Sequence, residues 1–327
     1  LGLPIILPQA LTGPQIVRAL REGEVTLMIG VPRLYEALVA GIEEQLQLRG
    51  GGAAMLFKAT FGLSNWLRRR LGLRVGRVLL RSLHRQFGPQ LRTLTSGGAA
   101  LDPDLAWKLE GFGWRVGVGY GLTETAPLLT LDPPGRARIG SVGRPVSGVE
   151  LCVDHTVRGG GSEEIAPAHP KRTTAPGQQG EVLARGPNVF SGYLHLPAET
   201  AKVFGDGWFR TGDLGYFDQD GYLYLLGRVS TMIVLPGGEN IQPEDVEERY
   251  AEHPLIGEIG IFEQDGRLVA LIVPEVSEIR RGNLAVEQAI RQAVAEQSRR
   301  LPSYQRISDY VITRHALPRT RLGKIRH

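Results

Sequence analysis

A single cysteine, Cys152, stands in 327 residues. An intrachain disulfide is therefore excluded, and a reducing compartment is the simpler setting. Long apolar runs are missing too: no uninterrupted stretch approaches the length of a bilayer-spanning helix, which argues against a membrane span. Net charge is small, because 38 Lys+Arg against 34 Asp+Glu leave a formal +4. That suits polyanionic small molecules and falls short of a nucleic-acid footprint unless it is concentrated on one face. No GxxxxGK[ST] phosphate loop occurs. His155 and His169 lie in a Gly/Pro/Ser/Thr-rich stretch, 155–179, with no partner at metal-ligand spacing, so they read as surface histidines on a mobile loop. The apolar and charged fractions are ordinary for a globular protein, and the length allows two cored domains.

Taken in order, the chain first alternates helix and strand. A helix starting at Thr12, with Pro14 behind it, runs through Arg21; Val25–Ile29 is a short buried-type strand; Pro32 opens a helix through Leu46. This alternation argues a mainly parallel sheet. Gly50 to Gly52 break the pattern, and a helical region follows. In its second half Val75, Val78, Leu79, Leu83 and Phe87 mark an apolar face. Arg70, Arg74, Arg77, Arg81 and Arg85 form a basic stripe, which suits either a solvated face or contact with anionic lipid headgroups. Leu91–Ser96 is the next strand and ends in Gly97-Gly98-Ala99-Ala100. These small residues either let a flat group approach the backbone or make a tight turn into a helix with Asp102 as N-cap and Pro103 at its first position.

The strand Arg115–Val118 runs into Gly119-Tyr120-Gly121-Leu122-Thr123-Glu124-Thr125, beyond a strand's carboxyl end, where open α/β sheets bind ligands. Tyr120 offers an aromatic face for adenine, Thr123 a hydroxyl for an α-phosphate oxygen, and Glu124 a hard oxygen for Mg²⁺. A core tyrosine and a helix-capping Thr/Glu pair are the alternatives. The short strands Val149–Val153 and Gly180–Arg185 and a helix Pro197–Val203 then suggest a barrel-like subdomain. They lead into WFRTGDLGYFDQDGYLYLLGRVSTMIVLPGGEN, Trp208 to Asn240. Here the turn Asp218-Gln219-Asp220-Gly221 makes a hairpin that brings Asp213, expected at a strand end, together with Arg228 as acceptor and donor for a common ligand. Beyond Arg228 the pattern is a small α+β unit: strand Thr231–Leu235, a helix from Pro243, strands Ile256–Phe262 and Leu268–Val273, a helix Leu284–Arg299, strand Ile307–Thr313 and a terminal loop carrying Lys324.

GYGLTET, GWFRTGDLG, the hairpin closing in GR, GGENIQPEDVEE and LPRTRLGKIRH, in that order, resemble the core motifs of the adenylate-forming superfamily of acyl-CoA synthetases, nonribosomal-peptide adenylation domains and luciferases. One such motif is weak evidence; five in register over most of the chain are specific. The resemblance implies an α/β fold. Residues 1–227 would be the C-terminal portion of a large domain, with a mainly parallel sheet, helices and the barrel-like subdomain, and 228–327 a small mobile α+β lid. It also implies a reaction in two halves: a carboxylate attacks ATP to give an acyl-adenylate and pyrophosphate, and a thiol, usually that of coenzyme A, then displaces AMP. ATP/AMP, Mg²⁺ and coenzyme A are the implied cofactors and co-substrates.

By the same resemblance, Gly98 and Ala99 line the adenine and acyl side of the pocket, Tyr120, Gly121 and Thr123 take the nucleotide, and Glu124 holds Mg²⁺. Asp213 and Arg228 hold the ribose, and Lys324 reaches in during adenylation. Gly237, Gly238 and Glu239 face the thiol tunnel once the lid has turned. Ser230, two residues past Arg228, departs from the family's Asp or Lys at the hinge, which puts the usual hinge chemistry in question. The helical insertion resembles the long-chain fatty acyl-CoA synthetases more than the peptide-synthetase branch, so a medium- or long-chain fatty acid is the expected substrate. A cytoplasmic location is expected, with peripheral membrane contact left open and no nucleic-acid partner. Two alternatives stand beside this: an acyl- or aryl-adenylating enzyme that loads a carrier protein, and a noncatalytic nucleotide-binding homologue. The chain opens inside LGLPIILPQAL, and the family's Ser/Thr/Gly-rich loop for the β- and γ-phosphates lies upstream of that point. The expectation is a fragment with an incomplete adenylation site.

Overall fold

The computed structural model describes residues 4–10, 12–48, 51–133, 137–157, 170–237, 239–282 and 285–318. The chain forms two compact units: Leu1–Val149 with Pro187–Phe190 and Tyr222–Tyr224, and Glu150–Gly186 with Ser191–Gly221 and Leu225–His327. No helix among the described residues is long and apolar enough to cross a membrane.

In the first unit a five-stranded sheet runs Leu27–Gly30, Thr93–Ser96, Arg115–Tyr120, Thr130–Asp132, Arg144–Pro145. The first three strands are parallel, with Leu27 opposite Thr93 and Thr93 opposite Arg115, and the last two join antiparallel. Parallel pairing follows from the intervening helices, which carry the chain back across the sheet. Asp102 caps the helix Pro103–Phe112 by accepting from Leu105 N at 2.7 Å, with Pro103 in the first turn, as the sequence predicts. The helix Gly51–Leu71 lies against it: Phe61 and Phe112 stack with centroids 4.7 Å apart, and Ser64 Oγ donates to Gly111 O at 2.7 Å. Trp114, Leu91, Leu94 and Leu109 are fully enclosed in the core of this unit.

The basic stripe does not survive as one face. The helix Gly51–Leu71 ends before Gly72, which turns left-handed at φ +69°, and Gly76–Leu79 and Arg81–Phe87 are separate short helices. Arg74 and Arg68 both turn inward to the buried carboxylate of Glu110, at 3.3 and 2.6 Å, and Arg77 donates to the carbonyls of Leu91 and Pro89. The expected apolar face is corrected for the same reason. Val78 and Leu79 point outward, while Leu80, Leu83 and Phe87 are buried.

A six-stranded sheet, all of it in the second unit except Leu223 and Tyr224, orders Leu223–Arg228, Trp208–Phe217, Gly180–Arg185, Glu150–Asp154 and Arg172–Thr173, with Phe204–Gly205 paired to Trp208–Phe217. The loop stretch from 155 onward is broken by that short strand, and its residues 158–169, His169 among them, lie outside the described residues. Asp213 is not at a strand end. The strand continues through it for ten residues, and the turn signal of Thr211-Gly212 is instead an irregularity in pairing between Arg210 and Leu214, with Gly212 at φ +72°.

The C-terminal part of this unit builds its own core. Strands Ile256–Gln264 and Arg267–Pro274 pair antiparallel, and Asp309–Ile312 adds parallel to the second. Val246 and Tyr250 of helix Pro243–Ala251 and Ala289, Ile290 and Ala293 of helix Val286–Arg300 share one buried cluster with Ile259, Ile261 and Ile272. The helix Val276–Arg281 has no counterpart in the sequence expectations, because six residues are too few for a periodicity to show. The expected strand Thr231–Leu235 shrinks to Ile233–Val234, paired with Asn240–Ile241 across the Pro236-Gly237 turn.

Candidate functional site

Adjacent parallel strands set the first cluster of candidate residues. Ser96 is opposite Val118, so the Gly97–Ala100 loop and the Gly119–Thr125 loop leave the same sheet edge. Gly98 takes φ +79°, and among the described residues its one neighbour at Cβ distance is Val31 Cγ1 at 3.8 Å. Ala99 is half-buried. Tyr120 ends its strand and is buried, whereas Thr123 is exposed and Glu124 half-buried on the short 3-10 turn Thr123–Thr125. Gly121 is dictated by packing, since a Cβ there would sit 1.8 Å from Pro127 O.

The turn is held from behind. Thr125 Oγ1 accepts from Leu122 N at 3.0 Å, Asn188 Nδ2 donates to Thr125 O and Leu128 O at 2.8 Å each, and Phe190 N donates to Glu124 O at 2.8 Å. The sequence reading missed Asn188 and Phe190. Their only signal is the compact GPNVFSGY stretch, polar and aromatic residues between two strand patterns.

The second cluster is built on the bulged strand Trp208–Phe217. The hairpin brings the two side chains together: Arg228 Nε donates to Asp213 Oδ1 at 3.0 Å, so each is engaged by the other. The turn that makes it is present: Gly221 N donates to Asp218 O at 3.1 Å, and Gly221 takes φ +77°. Asp213 is nearly buried while the Arg228 side chain is about half exposed, 54%, so the guanidinium keeps a face toward solvent. Beneath the bulge lies a buried charge network. Arg210 pairs with Glu181 and, at 3.2 Å, with Asp154, and Glu181 also accepts from Gly212 N at 3.2 Å. Burial pushes the Glu181 carboxyl above its ordinary range against the pull of Arg210. These buried partners fix the backbone from which Asp213 projects, and only Arg210, inside GWFRTGDLG, carried a sequence signal.

At the expected hinge, Ser230 is exposed in the turn after Arg228, where Thr231 N donates to Arg228 O at 3.4 Å. Gln242 fastens this turn from the side: buried, it donates to Thr231 Oγ1 at 2.9 Å and to Glu244 Oε2 at 2.6 Å. A Cβ on Gly227 would fall 2.1 Å from its amide carbon, so Gly227 makes room for Gln242. Glu239 is exposed, and its carboxylate folds over Gly237. Gly238 and Lys324 lie outside the described residues.

No cluster of three or more His, Cys, Asp or Glu able to hold a metal exists among the described residues. Glu124 supplies a hard carboxylate next in sequence to the Thr123 hydroxyl. That donor set fits Mg²⁺, which characteristically takes one or two carboxylates and completes its shell with substrate phosphates and water.

A model of the AMP-binding enzyme family matches residues 1–194, and one of the AMP-binding enzyme C-terminal domain matches residues 245–324. The chain is 32% identical over 244 residues to a long-chain-fatty-acid–CoA ligase of Mycobacterium bovis, covering 71% of this chain and 37% of the relative. It is 36% identical over 215 residues to a 2-succinylbenzoate–CoA ligase of Geobacillus kaustophilus, covering 65% of this chain and 40% of the relative. Among solved structures, the o-succinylbenzoate CoA synthetase of Bacillus subtilis in complex with an acyl-adenylate intermediate superposes with a TM-score of 0.66 at 22% identity. That likeness covers 96% of this chain and 52% of the other, and at this identity it establishes the fold. The chain spans well under half the length of these curated relatives.

Proposed function

Because this chain belongs to the AMP-binding enzyme family, we propose that it serves the ATP-dependent activation of a carboxylic acid and its transfer to the thiol of coenzyme A, an AMP-forming acid–thiol ligation. The observation that supports this most directly is the Asp213–Arg228 pair, 3.0 Å apart on the bulged strand. A carboxylate that accepts and a guanidinium that donates, both fixed on strands, suit vicinal hydroxyls of a ribose.

In the first half-reaction the substrate carboxylate oxygen bonds to the α-phosphorus, and the bond to pyrophosphate breaks. Thr123 donates to an α-phosphate oxygen, Tyr120 faces the adenine, Gly98 and Ala99 line the pocket beside flat groups, and Gly121 lets the nucleotide-binding turn pack against Pro127. Mg²⁺, when bound at Glu124, neutralises charge on the phosphates. Lys324 stabilises the charge that builds in this step. In the second half the thiol, losing its proton, bonds to the acyl carbon, and AMP leaves. Residues 228–327 act as the lid, pivoting at Ser230 so that Lys324 withdraws and Gly237, Gly238 and Glu239 face the incoming thiol. The substrate class we propose is a medium- or long-chain fatty acid. This is supported by the long helical region from Gly51 to Phe87 and by the similarity to a long-chain-fatty-acid–CoA ligase.

Acid-dependent exchange of labelled pyrophosphate into ATP, run with fatty and aromatic acids and followed by coenzyme A or a carrier protein as acceptor, tests each part. Exchange with decanoate or palmitate and capture by coenzyme A is the expected result. Exchange with aromatic acids alone overturns the substrate class, and capture only by a carrier overturns the acceptor.

A further inference from the structure

The outward face of the helix Gly51–Leu71 is apolar where a solvated helix would be polar. Phe57, Phe61 and Ser64 turn to the protein, and the opposite side presents Met55, Leu56, Leu63 and Trp66, exposed to 76%, 68%, 50% and 55%. Their spacing, 55/56, 63 and 66, keeps them on one stripe of a 3.6-residue period. At the helix's C-terminal end the stripe runs into Arg69 and Arg70, both exposed, and the apolar surface continues through Leu71 and Leu73.

The segment that carries this face is basic in sequence, although Arg68, Arg74 and Arg77 turn inward. Residues 51–92 contain one lysine, eight arginines and no acidic residue. The acidic groups that meet this stretch come from the neighbouring helix Pro103–Phe112. Glu110 is buried and engages Arg68 and Arg74; Asp104 is exposed and lies 3.2 Å from Arg69. Arg69 also stacks on Trp107, its guanidinium carbon 5.2 Å from the ring centroid.

We infer that this helix face is a peripheral docking surface for a bilayer containing anionic phospholipid. An apolar stripe with an indole at its edge and arginines at its end matches the acyl boundary and headgroup layers of one leaflet. A second copy of the chain fits worse, because a two-fold contact would bring a segment with no acidic residue of its own against itself, with the exposed Asp104 already beside Arg69. The inference stands apart from the nucleotide chemistry, so its failure leaves the proposed ligation untouched.

Co-flotation of the 327-residue chain with vesicles of phosphatidylcholine alone, or of phosphatidylcholine with phosphatidylglycerol, tests it. The chain is expected to float with the anionic vesicles only and to be released by salt. Arg69→Gln/Arg70→Gln should weaken that partition at least about tenfold, since basic residues near such a surface act individually. Leu63→Ser/Trp66→Ser, which alters exposed positions only, should weaken it by a similar factor, with the urea midpoint unchanged. Failure to float with either vesicle overturns the inference, as does equal flotation with both that ignores the arginine variant. Self-association abolished by Leu63→Ser/Trp66→Ser, without flotation, would assign the face to a second copy and also overturn it.

Discussion

Arg228 donates from Nε to Asp213 Oδ1 at 3.0 Å, although fifteen residues and a complete hairpin turn separate them in sequence. The Arg228 side chain is about half exposed, so solvent screens the pair even though Asp213 is nearly buried, and screened pairs contribute about 0 to 1 kcal/mol to stability. Asp213→Asn should therefore shift the urea unfolding free energy by no more than about 1 kcal/mol. A loss several times larger would make the pair a folding element and remove its reading as a ligand clamp.

Two glycines near the candidate site should respond very differently to alanine. Gly121→Ala places a methyl 1.8 Å from Pro127 O; the loop must open, at a cost of about 2 kcal/mol or more. Among the described residues nothing lies within 4 Å of the Cβ position of Gly212, whose φ is +72°, so Gly212→Ala should cost about 1 to 2 kcal/mol. Urea titrations of the two variants check the order, and equal costs would contradict the close approach at Gly121.

Asp132 supplies a pH signature. Burial pushes its carboxyl from the ordinary 3.8 up to about 6, while Oδ2 accepts from Arg138 N at 2.6 Å. Because the folded state holds this proton more tightly than the unfolded chain, the cost of the buried charge is full above pH 6. It fades as pH falls through 6 and is gone below about 4. Asp132→Asn keeps an acceptor for Arg138 and never ionises. It should be more stable than the parent at pH 8, by at most about 3 kcal/mol at about 1.4 kcal/mol per pH unit, and equal to it near pH 4. A difference that does not change with pH would contradict the buried charge.

Lys324 should separate the two half-reactions. On the proposed function, Lys324→Ala is expected to raise the adenylation barrier by about 2 to 4 kcal/mol, the scale of a lost transition-state donor. Thioester formation from supplied acyl-adenylate should persist. Equal loss in both steps, or in neither, would refute the lid role.

Much of this architecture was legible because local chemistry and fold agree. Asp102-Pro103 announced its helix through capping, Gly180–Arg185 and Pro197–Val203 stand where apolar runs and proline place them, and the turn residues around Asp218 fixed the hairpin that pairs Asp213 with Arg228. The rest was set by tertiary contacts that leave no periodic trace. Glycine 72 split a regular arginine spacing, and the buried Glu110 drew Arg68 and Arg74 inward. Gln242 fits against Gly227, and Asn188 reaches back sixty-three residues to Thr125. Neither has a pattern around it that distinguishes it from a surface amide.

The central claim is that the Asp213–Arg228 clamp belongs to a nucleotide site. Calorimetric titration of AMP and of ATP into the 327-residue chain, parent and Asp213→Ala, tests it most directly. The account predicts one saturable AMP site, ATP binding of similar strength because the sequence offers no phosphate loop, and a loss of about 1 to 3 kcal/mol of affinity in the variant. Unchanged affinity in Asp213→Ala, or ATP bound far more tightly than AMP, would contradict it.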